Sequence, residues 1–267
     1  MISVSNADAL KPSVVHITGP LIRILGDRFP SNVKTAVLDT LASLLKKASV
    51  LLKPFFPQLQ TTFMKALNDG NRTVRLMAGS ALGYLIAIHM RPDPLFNELA
   101  NGIKTSSDDS SVRDTYLQAL RLCLERAGDK MSPPIRRTIL PQLSQLTSHS
   151  DDVTRSTAGG CLGAFVKTLP QEDADAVVND CLSLSDGDDW SLRHGRSTAL
   201  FVALKDSPDR VYTDANQAKT VKVILALLKD DRVPNVQNGI RCCAFLLSHL
   251  MKSDATLPAD LLAPFAR

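Results

Sequence analysis

The sequence predicts an all-α solenoid made of stacked helix pairs. Three observations predict it. A basic residue recurs with a leucine seven positions later and a small residue just before that leucine. The intervals between these basic residues stay near 40. The apolar residues follow helical spacing, and no alternating run is long enough for a strand. The instances are Lys34 with Thr40-Leu41, Arg75 with Ala81-Leu82, Arg113 with Ala119-Leu120, Arg155 with Cys161-Leu162 and Arg193 with Ala199-Leu200, at intervals of 41, 38, 42 and 38. A sixth unit, Val236 to Leu247, keeps the apolar pattern but has Gln237 in the basic slot.

A period near 40 made of two helices is the signature of HEAT and armadillo repeats. Each unit then reads as a helix A, a turn, a helix B and a short link, giving about six pairs. The A helices are expected near 11–27, 51–67, 94–105, 133–148, 171–184 and 215–229. The B helices are expected near 32–48, 71–90, 110–127, 152–168, 189–205 and 234–252. Helix B is the clearer element. In 73–90, the apolar residues Val74, Leu76, Met77, Ala81, Leu82, Leu85 and Ile86 fit helical spacing. Asp69-Gly70 makes the turn before it and Asn71 is its N-cap; Asp109 or Ser110, Asp151 and Asp188 do the same for later B helices. Acids there also sit near positive helix N-termini. Pro20, Pro57 and Pro141 are placed inside A helices, where a missing i→i−4 bond bends the helix. Pro54, Pro92, Pro94, Pro133, Pro134, Pro170 and Pro234 stand near helix starts, where proline is tolerated. A last A helix opens near Pro258.

Neither end reads as a polar capping repeat. Leu21-Ile22-Arg23-Ile24-Leu25 and Leu261-Leu262-Ala263-Pro264-Phe265 are apolar, whereas solenoids need polar caps for solubility. The expectation is a piece of a longer array, with Met1 an artificial start. Residues 1–267 are expected to form a single solenoid. With 44% hydrophobic and 22% charged residues the composition is that of a soluble folded chain. The five cysteines are odd in number and irregularly spaced, which reads as small buried hydrophobes in a reducing compartment. There is no secretory n-region and h-region at the start, and the longest apolar candidate, 81–88, is interrupted by Gly83. Cytosol or nucleus is the default location. Net charge is +4, but residues 1–75 hold ten Lys and Arg against four Asp, a net +6 that leaves −2 for the remainder. A basic end points to an acidic partner, protein or nucleic acid, although a solvated helix face explains such a run equally well.

No motif carries specific chemistry. A Gly-x-x-x-x-Gly-Lys-Ser/Thr loop and a His-Glu-x-x-His pair are both absent, and the five histidines are scattered. The expectation is therefore no enzyme, no cofactor and no metal, with the histidines as surface or capping residues. Gly159-Gly160-Cys161-Leu162-Gly163 resembles a nucleophile turn, but it fills the small-residue slot of a repeat, so close helix packing is the better account. His194-Gly195-Arg196-Ser197 reads as a surface-facing turn of a B helix. In such arrays a slot Arg or Lys often pairs with an Asp of the neighbouring turn, a ladder worth roughly 0–1 kcal/mol per exposed pair. Arg113, Arg155 and Arg193 are read as ladder residues; Lys34 and Arg75, in the basic end, are the better candidates for recognition.

The block Leu52-Lys53-Pro54-Phe55-Phe56-Pro57-Gln58-Leu59-Gln60-Thr61-Thr62-Phe63 closely resembles one family, the giant HEAT-repeat translational activators of the general-control kinase. Supporting blocks are Ile17-Thr18-Gly19-Pro20-Leu21-Ile22-Arg23-Ile24-Leu25, Asp93-Pro94-Leu95-Phe96 and Asp189-Trp190 with Arg193-His194-Gly195-Arg196-Ser197. The resemblance covers essentially the whole chain, in order. It implies a cytoplasmic region that docks the N-terminal RWD domain of the kinase acting on initiation factor two alpha. Ribosome contact belongs to the full-length protein, and other RWD-domain proteins are further partners. By position it implies Arg23, Lys34, Phe55 and Arg75 as partner-binding residues, within a docking end over 1–90 followed by further repeats over 91–267. Lys34 stands where some members carry arginine, so it offers a point charge in place of a bidentate fork. An Arg-plus-aromatic set facing an acidic partner is common hot-spot chemistry. Phe55 follows Pro54 at a helix start; it either projects outward or packs between A helices, in which case Phe56 or Phe63 changes role with it. The competing reading is a ribosome or RNA contact through the basic end. The scarcity of aromatic clusters argues against single-strand RNA recognition by stacking.

Overall fold

A computed structural model describes residues 7–26, 28–106, 108–185, 187, 189–253 and 257–262. Among these residues every regular element is helical. The chain divides into two compact units, 1–135 and 136–267. The first holds α1 (Ala7–Leu10), α2 (Val14–Gly26), α3 (Ser31–Ala48), α4 (Phe56–Ala66), α5 (Arg72–Ala87), α6 (Asp93–Thr105) and α7 (Ser110–Ala127). The division falls in the first turn of α8 (Pro133–Leu146). The second unit continues with α9 (Asp152–Val166), α10 (Gln171–Leu182), α11 (Trp190–Asp206), α12 (Pro208–Val211), α13 (Gln217–Leu228), α14 (Val233–Lys252) and α15 (Ala259–Leu262).

The expected A and B helices are all present within a few residues of their expected bounds. Three corrections apply. Residues 49–55 form a 3-10 segment rather than the first turns of an A helix, because Pro54 lacks the N–H that a continuous α-helix needs. Pro57 consequently lies in the first turn of α4 and bends nothing, while Pro20 and Pro141 are interior as expected. Asp188, an expected cap, lies outside the described residues, as do Ala263, Pro264 and Phe265 of the apolar end. Asp189 caps α11 instead, accepting from the Ser191 N–H.

The other caps are as the turns foretold. Asn71 Oδ1 accepts from Thr73 and Val74 N–H at 2.9 and 3.3 Å, and Asp109 Oδ1 accepts from Ser111 and Val112 at 3.0 and 3.1 Å. Asp151 Oδ2 accepts from Thr154 at 2.8 Å. Each satisfies N–H groups that a helix start leaves unpaired.

In each unit the B helices lie side by side, α3 on α5 on α7 and α9 on α11 on α14, with the A helices packed behind them. Small residues set how closely they approach. A Cβ at Gly79 would stand 3.2 Å from Ala119 Cβ. The second unit is tighter: a Cβ at Gly159 would run into the Gly195 carbonyl oxygen, and one at Gly163 into that of Ala199. The 159–163 run is thus a packing feature, as its place in the repeat implied.

The stretch 194–197 is not surface-facing. His194, Gly195 and Ser197 are buried, and Gly195 lies so close to Thr147 that no Cβ fits. His194 is a core residue rather than a surface or capping one. Asn238 Nδ2 reaches across from α14 to Ser197 Oγ and Thr198 Oγ1 at 3.0 and 2.9 Å. Helical periodicity located the turn on a B helix; which side of that helix meets the next repeat depends on the stacking.

Arg155 is wholly buried and explains the burial of His194. Its Nη1 donates to the carbonyls of His149 and Ser150 at 2.8 and 3.3 Å, in the turn before its own helix. Its Nε donates to His194 Nδ1 of the next B helix at 3.1 Å, and its guanidinium lies 4.6 Å from the centroid of the Trp190 ring. His194 must be neutral at Nδ1 to accept. Burial first, and then the Arg155 charge, push its pKa below the usual imidazole value, while Asp152 pulls the other way.

Two outcomes follow from this packing. Gly195→Ala should lower stability by about 1–3 kcal/mol through overpacking against backbone, and Gly79→Ala by less, when read as shifts in urea midpoint at constant slope. The unfolded chain takes up the His194 proton near pH ~6.5, before the folded chain does, so stability should fall as pH drops from about 7 to 5.5. His194→Asn, which keeps an acceptor but does not titrate, should flatten that fall in thermal melts.

Candidate partner-docking surface

The four sequence-predicted residues have four different situations. Arg23 is exposed in the last turn of α2, with no acidic partner among the described residues. Lys34 sits in the first turn of α3, and its Nζ meets Asp69 Oδ2 at 2.8 Å, with 20% of the lysine side chain and 17% of the aspartate exposed. Burial works against ionisation of Asp69. The Lys34 ammonium, the Asn71 N–H and the Arg75 charge outweigh it and hold the carboxyl below its usual range. Lys34 thus makes the ladder contact expected of Arg113, Arg155 and Arg193. Arg193 makes the same contact, Nε to Asp230 Oδ2 at 2.7 Å.

Arg75 is buried, 6% exposed. Its Nη1 donates to the carbonyls of Asp69 and Gly70 at 3.0 and 3.4 Å, its Nε to Thr115 Oγ1 at 3.2 Å and its Nη2 to Ser111 Oγ. Arg155 does the same one carbonyl for one carbonyl, six and five residues back. Arg113 is also buried, and Ser107, the residue six before it, lies outside the described residues. Four of the basic slot residues therefore divide into two kinds: Lys34 and Arg193 pair with an acid in the next turn, whereas Arg75 and Arg155 staple their own turn to the next B helix.

Phe55 is half-buried and ends the 3-10 segment at the N-cap of α4. Phe63 is the fully buried member of the block, and Phe56 stacks on His89 with centroids 6.0 Å apart. Phe55 stands ten residues before Lys65 on α4, about 15 Å of helix rise. It therefore belongs to the opposite end of the helix from Lys34 and Asp69.

That other end holds a cleft of about 460 Å³ between the C-terminal end of α2, the start of α3 and the α4–α5 turn. Leu25, Ala66 and Val74 give it apolar walls; Arg28, Lys34 and Lys65 bring positive charge. Arg28 and Lys65 are exposed and have no acidic partner among the described residues, to which Asp27 does not belong. Phe29, next to Arg28, is 42% exposed. Sequence reading passed over Arg28, Phe29 and Lys65. Phe29-Pro30 was the available signal, since a proline disfavours helix in the residue before it and leaves that aromatic in the link.

Among the described residues there is no group of three His, Cys, Asp or Glu able to hold a metal. All five cysteines are buried and unbridged, and burial pushes the Cys181 thiol up to about 12. Among the described residues no helix is long and apolar enough to cross a membrane.

Helix pairs stacked through their B helices, with turn-to-helix arginines, define a HEAT-repeat protein. A model of HEAT-like repeats matches residues 31–85. A solved chain of Kap95p, from a complex with RanGDP, superposes with a TM-score of 0.60 at 13% identity, over 97% of this chain and 34% of that one; it supports the fold alone. Within this class, the chain belongs to the family described as stalled ribosome sensor GCN1-like HEAT repeats, whose model matches residues 93–267. It is 48% identical to the human stalled ribosome sensor GCN1 over 100% of this chain. It is 37% identical to the Arabidopsis thaliana protein ILITYHIA and 34% identical to the Saccharomyces cerevisiae eIF-2-alpha kinase activator GCN1, each over 97% of this chain. It spans about 10% of the length of each of these relatives.

Arg75→Ala should therefore act on stability, costing about 2–4 kcal/mol by loss of charged hydrogen bonds, while Arg23→Ala should cost under ~0.5 kcal/mol. Thermal melts of the two variants side by side check this.

Proposed function

We propose that this chain is a protein-binding scaffold that docks the N-terminal RWD domain of the general-control eIF-two-alpha kinase. In the full-length protein it couples stalled or collided ribosomes and amino-acid starvation to activation of that kinase. The reading places it in the cytoplasm, as a regulator without catalysis, cofactor, metal or small-molecule substrate. Other RWD-domain proteins are further partners. The observation that carries the reading is the cationic edge of the first unit, where Arg23, Arg28 and Lys65 stand exposed without acids to pair with among the described residues. The name of the yeast relative, an eIF-2-alpha kinase activator, supports the choice of partner. Of the four residues read from the sequence, Arg23 and Phe55 act as direct contacts. Lys34 acts through Asp69, and Arg75 by holding the turn that carries Asp69 and Gly70.

A second reading draws on the human relative's name as a stalled ribosome sensor: the same edge contacts ribosomal RNA. Titration calorimetry of this chain against the kinase's isolated RWD domain separates them. Saturable binding is expected, weakened about tenfold or more by Arg23→Glu or Phe55→Ala with unchanged melting. No heat at high micromolar concentrations, together with RNA binding that falls steeply with salt and ignores Phe55→Ala, would replace docking by the RNA reading.

A further inference from the structure

Resting on the docking reading, we infer that the cleft between α2, α3 and the α4–α5 turn takes an acidic segment of the docked protein: one carboxylate side chain between Arg28 and Lys65, with a neighbouring apolar side chain against Phe29. Lys34 is already committed to Asp69 at 2.8 Å, so that pair adds little net field to the cleft. Arg28 and Lys65 are then the cations left to answer an incoming anion, since among the described residues no acid pairs with either of them and Asp69 of the same cleft is taken by Lys34.

Shape narrows the ligand. A volume of about 460 Å³ holds a pair of side chains but not a folded element. Its apolar walls at Leu25, Ala66 and Val74 suit methylene groups behind a carboxylate. A phosphate diester track suits it less. Arg28 and Lys65 make a point of charge rather than the stripe that a phosphate backbone follows. Phe29, 42% exposed and adjacent to Arg28, gives the aromatic half of an aromatic-plus-arginine anchor. Phe55, at the other end of α4, lies outside this anchor.

The cleft is also held in shape. Asp69 and Gly70 line it, and both carbonyls are bound by Arg75. Asn68, in the same turn, donates through Nδ2 to Tyr116 Oη at 2.8 Å. A recess fixed before the partner arrives loses less freedom on binding than one that must form.

The test uses the whole chain with the kinase's RWD domain as probe. Arg28→Glu with Lys65→Glu, and separately Phe29→Ala, are measured by calorimetry beside the wild type and Lys219→Glu, an exposed charge reversal on α13 of the second unit. The first variant should weaken binding about thirtyfold or more and Phe29→Ala about tenfold, with Lys219→Glu within about threefold of wild type and all melting temperatures unchanged. Wild-type binding with less than twofold loss in the cleft variants overturns the cleft and leaves docking standing. Absence of wild-type binding overturns both. Loss of affinity for a structured RNA in the cleft variants, with RWD affinity intact, reassigns the cleft to nucleic acid.

Discussion

A guanidinium cut off from water must find acceptors in the protein, and in each unit of this chain that requirement ties one B helix to the next. Arg75 and Arg155 each donate back to two carbonyls of the turn before their own helix and forward to a side chain on the following B helix. Leaving such a charge unpaired costs several kcal/mol, so the turn, the helix and its neighbour adopt a single relative arrangement. The glycines and alanines opposite let the helices come close enough for that reach. At Gly159 and Gly163 the clearance is so small that no side chain is accommodated.

The proposed docking edge depends on the same staples. The turn 68–70 stands in a defined place because Arg75 grips its carbonyls and Asn68 reaches Tyr116. Lys34 and Asp69 close the charge balance inside the cleft, and the cations that remain outside this balance are those a partner can meet. A single basic excess over residues 1–75 thus resolves into two populations. Arg75 and Lys34 are engaged within the fold, while Arg23, Arg28 and Lys65 face solvent. Phe55 and Phe29 mark opposite ends of α4, so a partner touching both must span the helix.

Much of the architecture was legible beforehand because a helix pair repeats its constraints every 40 residues or so, and repetition amplifies weak local signals. Turn acids, N-caps and the small-residue slot are local chemistry and appeared where expected. The candidate site was less legible. Lys34 and Arg75 look alike in sequence, both basic residues in the same slot, yet one meets a neighbouring carboxylate and the other is sealed among carbonyls. His194 likewise read as a surface residue and is buried against Arg155.

By itself the sequence determined the class of fold, the order and approximate bounds of its helices, the basic bias of its first third and membership of a family of HEAT-repeat proteins. These follow from periodicity, capping chemistry and residue type, which act within a few turns of chain. Only the tertiary structure decided which cations are engaged and which are free, that an unremarked Arg28-Phe29 link borders a cleft, and that the predicted site residues fall at two ends of one helix. Those are properties of surfaces made by residues some 35 to 40 positions apart, as Lys34 and Asp69 are. Whether a side chain keeps its water depends on what the next repeat brings against it.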